Sequence, residues 1–468
     1  MTGAPLIAHG LVVRSDLPIP EWLFGWAAAM VLVVSFVALA VLWPDPRLQR
    51  EGWRALPAGL GRVVTSGPVE VLCGAAGIFL LGLTVYTGLE GTQSSTANFA
   101  PTFVYVIFWV ALVPASVLFG DVFRAFNPWR ALGRAVGWIA RTAARGPVPP
   151  PLDYPERLGR WPAAAGIFAF VTLELVASNG SKPDNVAVAA LVYSALTFVA
   201  MALYGVDAWI ERGEAFSVYF NLFSRISPLE RRGRGIGLRK PLSGLAALQP
   251  LPGTVALVAV MIGSVSFDGA SEAPLWTNIA PDLTDFFESL GVAPEHALEA
   301  AFFVGLLAAV LIIYGFYRLG VAGARTVGGG FSSARLAGTF VHTLVPIALA
   351  YVSAHYLTLL LVQGQSLVFL DPLPQLGVLA SDPLGDGSDI FGTAGHAINF
   401  GVISSNETWY CQVGFVVAGH VAGLTLAHDR ALAIYDKAKL AVRSQYWMLA
   451  VMIGFTSLAL WLLSQANS

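Results

Sequence analysis

The stretch WLFGWAAAMVLVVSFVALAVLW, residues 22–43, decides the fold, because it contains no charged side chain from end to end. About 20 apolar residues suffice to cross the ~30 Å hydrocarbon core of a bilayer, since a helix rises about 1.5 Å per residue. The segment PDPRLQREGWR, residues 44–54, follows directly and carries three arginines. This combination predicts a transmembrane helix that ends at a basic membrane face.

The same alternation of apolar stretch and polar segment continues along the whole chain. Hydrophobic residues make up 56% of the 468 positions and charged residues 12%, which excludes an ordinary soluble protein. The further hydrophobic stretches lie at 68–88, 101–120, 160–178, 185–207, 252–267, 297–317, 336–362, 408–430 and 447–464. The sequence therefore predicts an all-α fold, a polytopic membrane helix bundle of about ten transmembrane helices that forms one integral membrane domain over residues 1–468.

Positive charges are distributed unevenly among the segments that join these helices. Only Arg14 and Lys182 of the 27 Lys and Arg residues fall outside five alternate segments. The first basic residues of those five segments are Arg47, Arg124, Arg212, Arg318 and Arg430. Because cytoplasmic loops carry the excess of Lys and Arg, the five segments are predicted to face the cytoplasm. This places the protein in the cytoplasmic (inner) membrane with both termini outside.

The segments assigned to the opposite side are acidic. Carboxylates gather there, among them Asp268, Glu272, Asp282, Asp285, Glu288, Glu295, Asp371, Asp382, Asp386 and Asp389. Membrane topology accounts for the basic residues and no nucleic-acid-binding module is recognisable, so no nucleic acid partner is predicted.

The segment after the third stretch predicts a further helix. Asn127 and Pro128 form a helix start, with an Asn cap and Pro at the first helical position. Within residues 127–145, apolar side chains recur every three and four residues, and arginines cluster on the opposite face. We expect an amphipathic helix in the cytoplasmic interface of the lipid bilayer, with its arginines among anionic lipid headgroups. A solvated basic loop packed on other cytoplasmic segments is the alternative.

Residues 363–407 form a long predicted external loop. Pro and Gly residues interrupt any hydrophobic period, but Phe369, Phe391 and Ile398 are interleaved with aspartates. Connections of this length are usually functional or disordered. The apolar residues favour an ordered cap over the outer mouth of the bundle.

Four of the seven histidines, His342, His355, His420 and His428, lie in two consecutive hydrophobic stretches. An imidazole inside a membrane is costly unless it is hydrogen-bonded, paired or bound to metal. Counting along the two antiparallel helices brings His342 level with His420, and with His428 if the helices tilt, whereas His355 lies near the outer surface. Two neutral imidazoles from facing helices suit haem iron, copper or zinc. His342, His420 and His428 are therefore candidate ligands of a haem b, and His342 and His420 of copper or zinc.

Glycines and a proline lie beside these histidines. Gly419 and Gly423 flank His420 and leave gaps that a flat macrocycle could approach, but close packing of two helices explains the same glycines. Pro346 removes a helix hydrogen bond between the two histidines of the eighth stretch and predicts a kink that would shape a cavity beside His342.

Two other kinds of site remain open. An ion-coupled transporter places carboxylates near the membrane midplane, and Glu174 is the only candidate that the hydrophobic stretches offer. An outward-facing metal-dependent hydrolase would use external His and Asp residues, although these show no short metal-binding spacing. This external set consists of His9, His296, His396, Asp386 and Asp389.

Four segments of the sequence resemble a known family. They are His9-Gly10 with Asp16-Leu17-Pro18-Ile19-Pro20, Phe126-Asn127-Pro128-Trp129-Arg130, Gly419-His420-Val421-Ala422-Gly423 and Ala427-His428-Asp429-Arg430-Ala431. Over most of its length the chain is similar to polytopic membrane proteins of actinobacteria that are often catalogued as fenitrothion hydrolases. The resemblance implies hydrolysis of organophosphate esters, but it assigns no catalytic residue in this sequence.

The sequence thus leaves three functional hypotheses. The first is electron or metal transfer by an intramembrane histidine site. The second is secondary transport of a small solute, and the third is outward-facing, metal-dependent organophosphate hydrolysis. They differ in whether the chemistry lies at His342 and His420, at Glu174 or at the external set.

Overall fold

Helices account for nearly all regular structure in the computed structural model, which describes residues 21–49, 52–143, 150–370 and 373–466. The first half contains α1 (Glu21–Leu42), β1 (Arg54–Ala55), α2 (Ala58–Val64), α3 (Gly67–Glu90), α4 (Phe99–Thr102), a π-helix (Phe103–Ala111), α5 (Leu112–Phe119), α6 (Val122–Phe126), α7 (Pro128–Ala143), α8 (Trp161–Leu175), α9 (Pro183–Tyr204), α10 (Val206–Arg212) and α11 (Ala215–Ser224). The second half contains β2 (Leu229–Arg232), β3 (Gly235–Leu238), α12 (Ser243–Ala246), α13 (Thr254–Ser271), α14 (Pro274–Ser289), α15 (Pro294–Arg325), α16 (Ser333–Phe340), a 3₁₀-helix (Val341–Leu344), α17 (Val345–His355), a π-helix (Leu359–Gln363), a 3₁₀-helix (Gly364–Ser366), β4 (Val368–Leu370), β5 (Pro374–Leu376), α18 (Val378–Ser381), α19 (Ser405–Ile434), α20 (Ala438–Ser444) and α21 (Tyr446–Ala466).

Every predicted hydrophobic stretch overlaps at least one of these helices. In the described part of the chain, eight helical segments are long and apolar enough to cross a membrane. The stretch 160–178 corresponds to α8, which is shorter at 15 residues, and 447–464 corresponds to α21. The stretch 297–317 is only the middle of α15, which has 32 residues. The predicted all-α polytopic bundle is confirmed, and the protein is a multi-pass membrane protein.

Segments predicted to share the basic side lie together in the structure. β1 follows the first span and pairs antiparallel with β3, which follows the fifth, so that Arg54 lies opposite Leu238. β2 completes this small sheet in the order β1-β3-β2. The Asp429 carboxylate on α19 accepts the backbone N–H of Leu48, which follows α1, at 3.0 Å. The exits of the first, fifth and ninth spans therefore meet on one face, which we call the basic face.

The segment 363–407 lies at the other end of the bundle. β4 and β5 form an antiparallel hairpin within it, and α18 follows. The carbonyl oxygen of Leu384 accepts the backbone N–H of Thr92 at 2.8 Å, and that of Pro383 accepts the N–H of Phe99 at 3.1 Å. The segment therefore packs on the connection between α3 and α4.

α7 begins where the sequence predicts a helix start. The Asn127 Oδ1 atom accepts the backbone N–H of Arg130 at 2.8 Å, which caps the first turn. The helix ends at Ala143, so 16 of the 19 residues in the predicted range 127–145 are helical, and residues 144 and 145 lie outside the described residues. Val136, Trp138 and Ile139 are exposed on its second half.

Two arginines of α7 bind carboxylates of the protein. The Arg130 guanidinium is buried and forms an ion pair with Glu70 of α3. Arg134 contacts Glu70 at 2.9 Å and Asp207 of α10 at 2.8 Å. The prediction that all the arginines of this helix lie among headgroups is therefore wrong for Arg130, which is buried where α7 meets α3.

The connection between the fifth and sixth spans contains a buried helix that the sequence reading missed. α11 is covered by protein along nearly its whole length and packs on α5 and α8. Its ten residues are too few to cross the membrane, which is why the segment read as a cytoplasmic loop. Arg212 precedes α11 and Arg225 follows it, so segments of the basic face join the helix at both ends.

The eighth span is broken near its predicted kink. A 3₁₀-helix that contains His342 separates α16 from α17, and Pro346 lies in the first turn of α17. Since Pro346 has no N–H group, the carbonyl oxygen of His342 accepts the N–H of Val345 instead. The predicted irregularity is confirmed, with the break beginning just before the proline.

Candidate functional site

A buried carboxylate on α13 contacts two side chains at the end of α17. The Asp268 Oδ2 atom lies 2.8 Å from His355 Nε2 and accepts the hydroxyl of Tyr356 at 2.8 Å. Asp268 is only 9% exposed and His355 only 5%. The assignment of Asp268 to an outer loop is therefore wrong, because α13 continues to Ser271 and carries Asp268 within a membrane span.

α13 places Asp268 inside the bundle because other helices cover it on several sides. It packs on α8, α15 and α17. Asp268 lies about 21 Å along the helix from Thr254, in the part of the span farthest from the basic face. A carboxylate removed from water at this depth depends on its hydrogen-bond partners, so His355 and Tyr356 stabilise it there.

A second carboxylate, Glu174 of α8, lies near the first. Its Oε2 atom is buried and has no hydrogen-bond partner among the described residues. Glu174 interacts electrostatically with Asp268 and with the hydroxyl groups of Tyr105 and Tyr219. Two carboxylates that interact in a low dielectric disfavour each other's ionised form. We call Asp268, His355, Tyr356 and Glu174 the carboxylate cluster, and its composition suits the uptake of a proton or cation.

All three predicted haem ligands have one ring nitrogen without a hydrogen-bond partner among the described residues. His342 is 2% exposed and His420 is fully buried, and in the part of the chain that the structure describes neither Nε2 atom has a hydrogen-bond partner. The other nitrogen of His420, Nδ1, lies 2.7 Å from the carbonyl oxygen of Val416. In His428 the Nε2 atom lies 3.0 Å from the carbonyl oxygen of Trp43 at the end of α1, and the Nδ1 atom is the one without a partner among the described residues.

Gly419 and Gly423 lie where α19 crosses α17 and its preceding turn. A β-carbon added at Gly419 would lie 2.4 Å from the Ala350 β-carbon, and one at Gly423 would lie 2.7 Å from the carbonyl oxygen of Thr343. The glycines therefore allow close helix packing, one of the two explanations that the sequence left open. The facing helix fills the space that a macrocycle would need there, so a haem does not fit beside these glycines. The haem prediction then rests on the histidines alone, whereas copper or zinc needs no such gap.

Asp429, which follows His428, holds the basic face together. It is fully buried and accepts the indole N–H of Trp43 at 3.0 Å, the backbone N–H of Leu48 at 3.0 Å and the side-chain amide of Gln49 at 2.9 Å. This role was missed from the sequence, where Asp429 reads as an exposed residue at the end of a span. The preceding residue, His428, also contacts this region, through the carbonyl oxygen of Trp43.

A further buried carboxylate, Glu214, precedes α11. It is fully buried and accepts the backbone N–H of Ser217 at 2.8 Å, the side-chain amide of Asn127 at 3.1 Å and the hydroxyl of Tyr193. Burial raises the pKa of Glu214, and the hydrogen bonds from Ser217 and Tyr193 oppose that shift. Asn127 thus joins the start of α7 to the start of α11.

The external histidines have separate partners. His9 lies outside the described residues. His296 Nδ1 lies 3.2 Å from a carboxylate oxygen of Glu299 on the same helix, whereas the ring of His396 lies 5.3 Å from that of Phe369. Within the described ranges, no three His, Cys, Asp or Glu side chains are grouped so that they could hold a metal ion.

The two predicted external aspartates stabilise turns. Asp386 accepts the hydroxyl and the backbone N–H of Ser388, and Asp389 accepts the hydroxyl of Ser381 and the N–H of Ala394. The hydrogen bond from Ser388 lowers the pKa of Asp386, and that from Ser381 lowers the pKa of Asp389. Both carboxylates are therefore favoured in the ionised form that accepts these bonds.

The fold and the buried polar residues define a multi-pass α-helical membrane protein with an intramembrane carboxylate cluster. Comparison of the chain with family models, with curated proteins and with solved structures finds no match. The resemblance to fenitrothion hydrolases and the hydrolase activity that it implies stay predictions.

Proposed function

We propose that the protein is a secondary transporter that moves a small solute together with a proton, and that Asp268 carries the proton. The observation that supports this is the buried Asp268 carboxylate, one oxygen of which contacts both His355 Nε2 and the Tyr356 hydroxyl. Ionisable groups inside a membrane span are costly and typically mark the path of an ion or proton. The cluster lies between helices of one bundle, as coupling sites in transporters do.

Each residue of the carboxylate cluster has a distinct role in the proposal. Ionised Asp268 accepts both hydrogen bonds, which are stronger to a charged acceptor than to a neutral one. Protonation of Asp268 weakens these contacts with the end of α17, so the packing of α13 on α17 becomes sensitive to the proton. Glu174, whose Oε2 atom is free of partners among the described residues, is the next acceptor along the path.

Glu272 provides access from the side opposite the basic face. It caps the end of α13 and interacts electrostatically with Asp268 and His355. Burial raises the pKa of Glu272, and the charge of Asp268 raises it further. Such a carboxyl group binds a proton at a higher pH than an ordinary glutamate and can pass it inward to the cluster.

The test measures proton binding without knowledge of the solute. A pH jump applied to proteoliposomes on a solid-supported membrane produces a transient current when a buried group takes up protons. We expect Asp268→Asn to lose most of this current, because an amide cannot bind the proton. Asp282→Asn changes an exposed aspartate of α14 and should leave the current unchanged. An undiminished current in correctly inserted Asp268→Asn protein would contradict the proposal.

A second function, binding of copper or zinc for metal transfer, is favoured by one specific observation. In the described structure the buried Nε2 atoms of His342 and His420 have no hydrogen-bond partner. A buried polar atom without a partner is costly, and coordination of a metal by the imidazole nitrogen would remove that cost. His342 lies in the 3₁₀-helix before α17 and His420 lies on α19, and these two helices pack on each other.

Metal analysis separates this second function from the first. We expect purified protein from cells supplied with copper and zinc to hold metal that His342→Ala or His420→Ala removes, while His296→Ala, an exposed histidine, retains it. The absorbance spectrum of the same sample tests for haem b. Wild-type protein without stoichiometric metal or haem would rule the histidine site out and leave the transport proposal untouched.

The proposed orientation puts the basic face in the cytoplasm, in the cytoplasmic membrane, with both termini outside. The excess of Lys and Arg in the segments at this face supports it. α7 then lies at the inner interface, where the exposed Val136, Trp138 and Ile139 enter the lipid and the exposed Arg141 meets anionic headgroups.

A further inference from the structure

A cavity of about 930 Å³ lies between α8 and α9. These helices are consecutive in the chain, yet α9 packs mainly on α3, and α8 packs mainly on α13 and α11. Their facing surfaces are left apart, with Ala165 and Ala169 of α8 on one wall and Ala189 and Tyr193 of α9 on the other. The π-helix Phe103–Ala111 and the start of α11 supply aromatic side chains to the cavity, and π-helical turns are frequent at functional sites.

The chemistry of the walls selects an apolar occupant. None of the described residues that line the cavity carries a charge. Two polar groups of the lining residues already have partners: the Trp129 indole N–H donates to Ser194 at 2.8 Å, and the Tyr105 hydroxyl donates to the carbonyl oxygen of Gly180 at 2.7 Å. A hydrated solute would lose its water there without replacement hydrogen bonds, which is unfavourable.

The cavity opens toward the bilayer and runs along it. Ala169 of α8 and Leu196 of α9 line the cavity and are exposed, so no other helix covers the gap between the two spans at these positions. From Pro162 to Leu173 the wall formed by α8 extends for about 17 Å along the helix axis. An acyl chain of the surrounding lipid has this same direction, so it can enter sideways.

One polar atom at the end of the cavity near the basic face has no hydrogen-bond partner among the described residues. Trp209 of α10 lines the cavity, and its indole N–H is buried with no hydrogen-bond partner in the described ranges. The ring lies against Gly213, where an added β-carbon would come within 2.4 Å of it. Tryptophans gather at the membrane interface, where lipid headgroups meet the hydrocarbon. An acceptor oxygen from a lipid at this depth would satisfy the indole.

We infer that the cavity binds a glycerolipid from the leaflet on the side of the basic face, with one acyl chain between α8 and α9. An ester carbonyl oxygen of that lipid accepts the Trp209 N–H. The volume lies within the range of about 300–1,000 Å³ found for sites that enclose most of a ligand. The inference does not depend on proton-coupled transport, because no residue of the carboxylate cluster lines the cavity.

Photocrosslinking in proteoliposomes tests the site. The probe is a phosphatidylcholine with a diazirine midway along one acyl chain, and labelled peptides are mapped by mass spectrometry. We expect label on the facing walls of α8 and α9. Ala189→Trp fills the cavity and should lose most of that label, whereas Val188→Trp, at the adjacent exposed position that does not line the cavity, should keep it. Ala169→Trp, from the opposite wall, is a second filling variant.

The result that would overturn the inference is equally concrete. Label spread evenly over the lipid-facing helices, or equal labelling of Ala189→Trp and Val188→Trp, would show that no chain is bound between α8 and α9. A co-purified apolar molecule without acyl chains in this cavity would also overturn it. Trp209→Phe should lose co-purified glycerolipid in detergent while Trp138→Phe, an exposed tryptophan of α7, retains it; equal retention would exclude the ester hydrogen bond.

Discussion

Trp43 at the end of α1 donates its indole N–H to Asp429 of α19 at 3.0 Å, although 386 positions separate the two residues in sequence. The backbone N–H of Leu48 donates to the same oxygen at 3.0 Å. The first span is therefore attached to the ninth by a buried carboxylate at the basic face, in addition to the packing of α1 on α19 and α21.

Replacement of Asp429 by Ala should destabilise the protein. The N–H groups of Trp43 and Leu48 would be left buried without an acceptor, at about 1–3 kcal/mol each. We expect a lower melting temperature for the detergent-solubilised variant. Asp436→Ala, at an exposed position just beyond α19, is the control and should melt close to wild type. Equal melting of the two variants would contradict the structural role of Asp429.

Gly419→Ala should also lower stability, because its β-carbon would meet Ala350 at 2.4 Å and the carbonyl oxygen of Pro346 at 2.6 Å. Overpacking of this kind typically costs about 1–3 kcal/mol. Gly414→Ala, on the same helix with open space at the β-carbon position, is the matched control. The comparison uses thermal unfolding in detergent, and a Gly419→Ala variant as stable as Gly414→Ala would refute close packing there.

The stability of the protein should fall as pH rises because of Glu214. Burial raises the folded-state pKa of Glu214 above that of the unfolded chain, so the folded state binds the proton more tightly. The favourable contribution is present below the unfolded-state pKa and is lost as pH rises through the folded-state pKa. Melting temperatures of wild type and Glu214→Gln, measured across mildly acidic to neutral pH, should show the wild type losing stability relative to the variant. Parallel curves would argue against a raised pKa.

Cysteine labelling should distinguish the two faces. In a background with Cys73 and Cys411 replaced by Ala, Ser94→Cys lies opposite the basic face and Arg234→Cys lies in the turn between β2 and β3 on that face, both exposed. An impermeant maleimide added to intact cells should label Ser94→Cys and spare Arg234→Cys until the cells are opened. Labelling of Arg234→Cys from outside would show that the basic face lies outside the cell, opposite to the proposed orientation.

Part of the candidate site was within reach of the sequence. Glu174 was recognised because a carboxylate stands out inside an apolar stretch. Asp268 was missed because the predicted sixth hydrophobic stretch, 252–267, ends at the residue before Asp268. A charged residue lowers the local hydropathy and so marks the apparent end of a span. The contact of His355 with Asp268 was not predicted either, since the depth of His355 in the membrane does not show which residue of the neighbouring span it faces.

The sequence by itself determined that this protein is an all-α membrane bundle with one basic face, because the length of an apolar stretch and the charge of its flanks are local properties. Only the tertiary structure decided that Asp268 meets His355, that Gly419 serves helix packing and that α8 and α9 stand apart around a cavity. The physical reason is that every face of a span is apolar enough for lipid. Hydropathy therefore does not show which faces contact other helices, and the partner of a buried polar group depends on that choice.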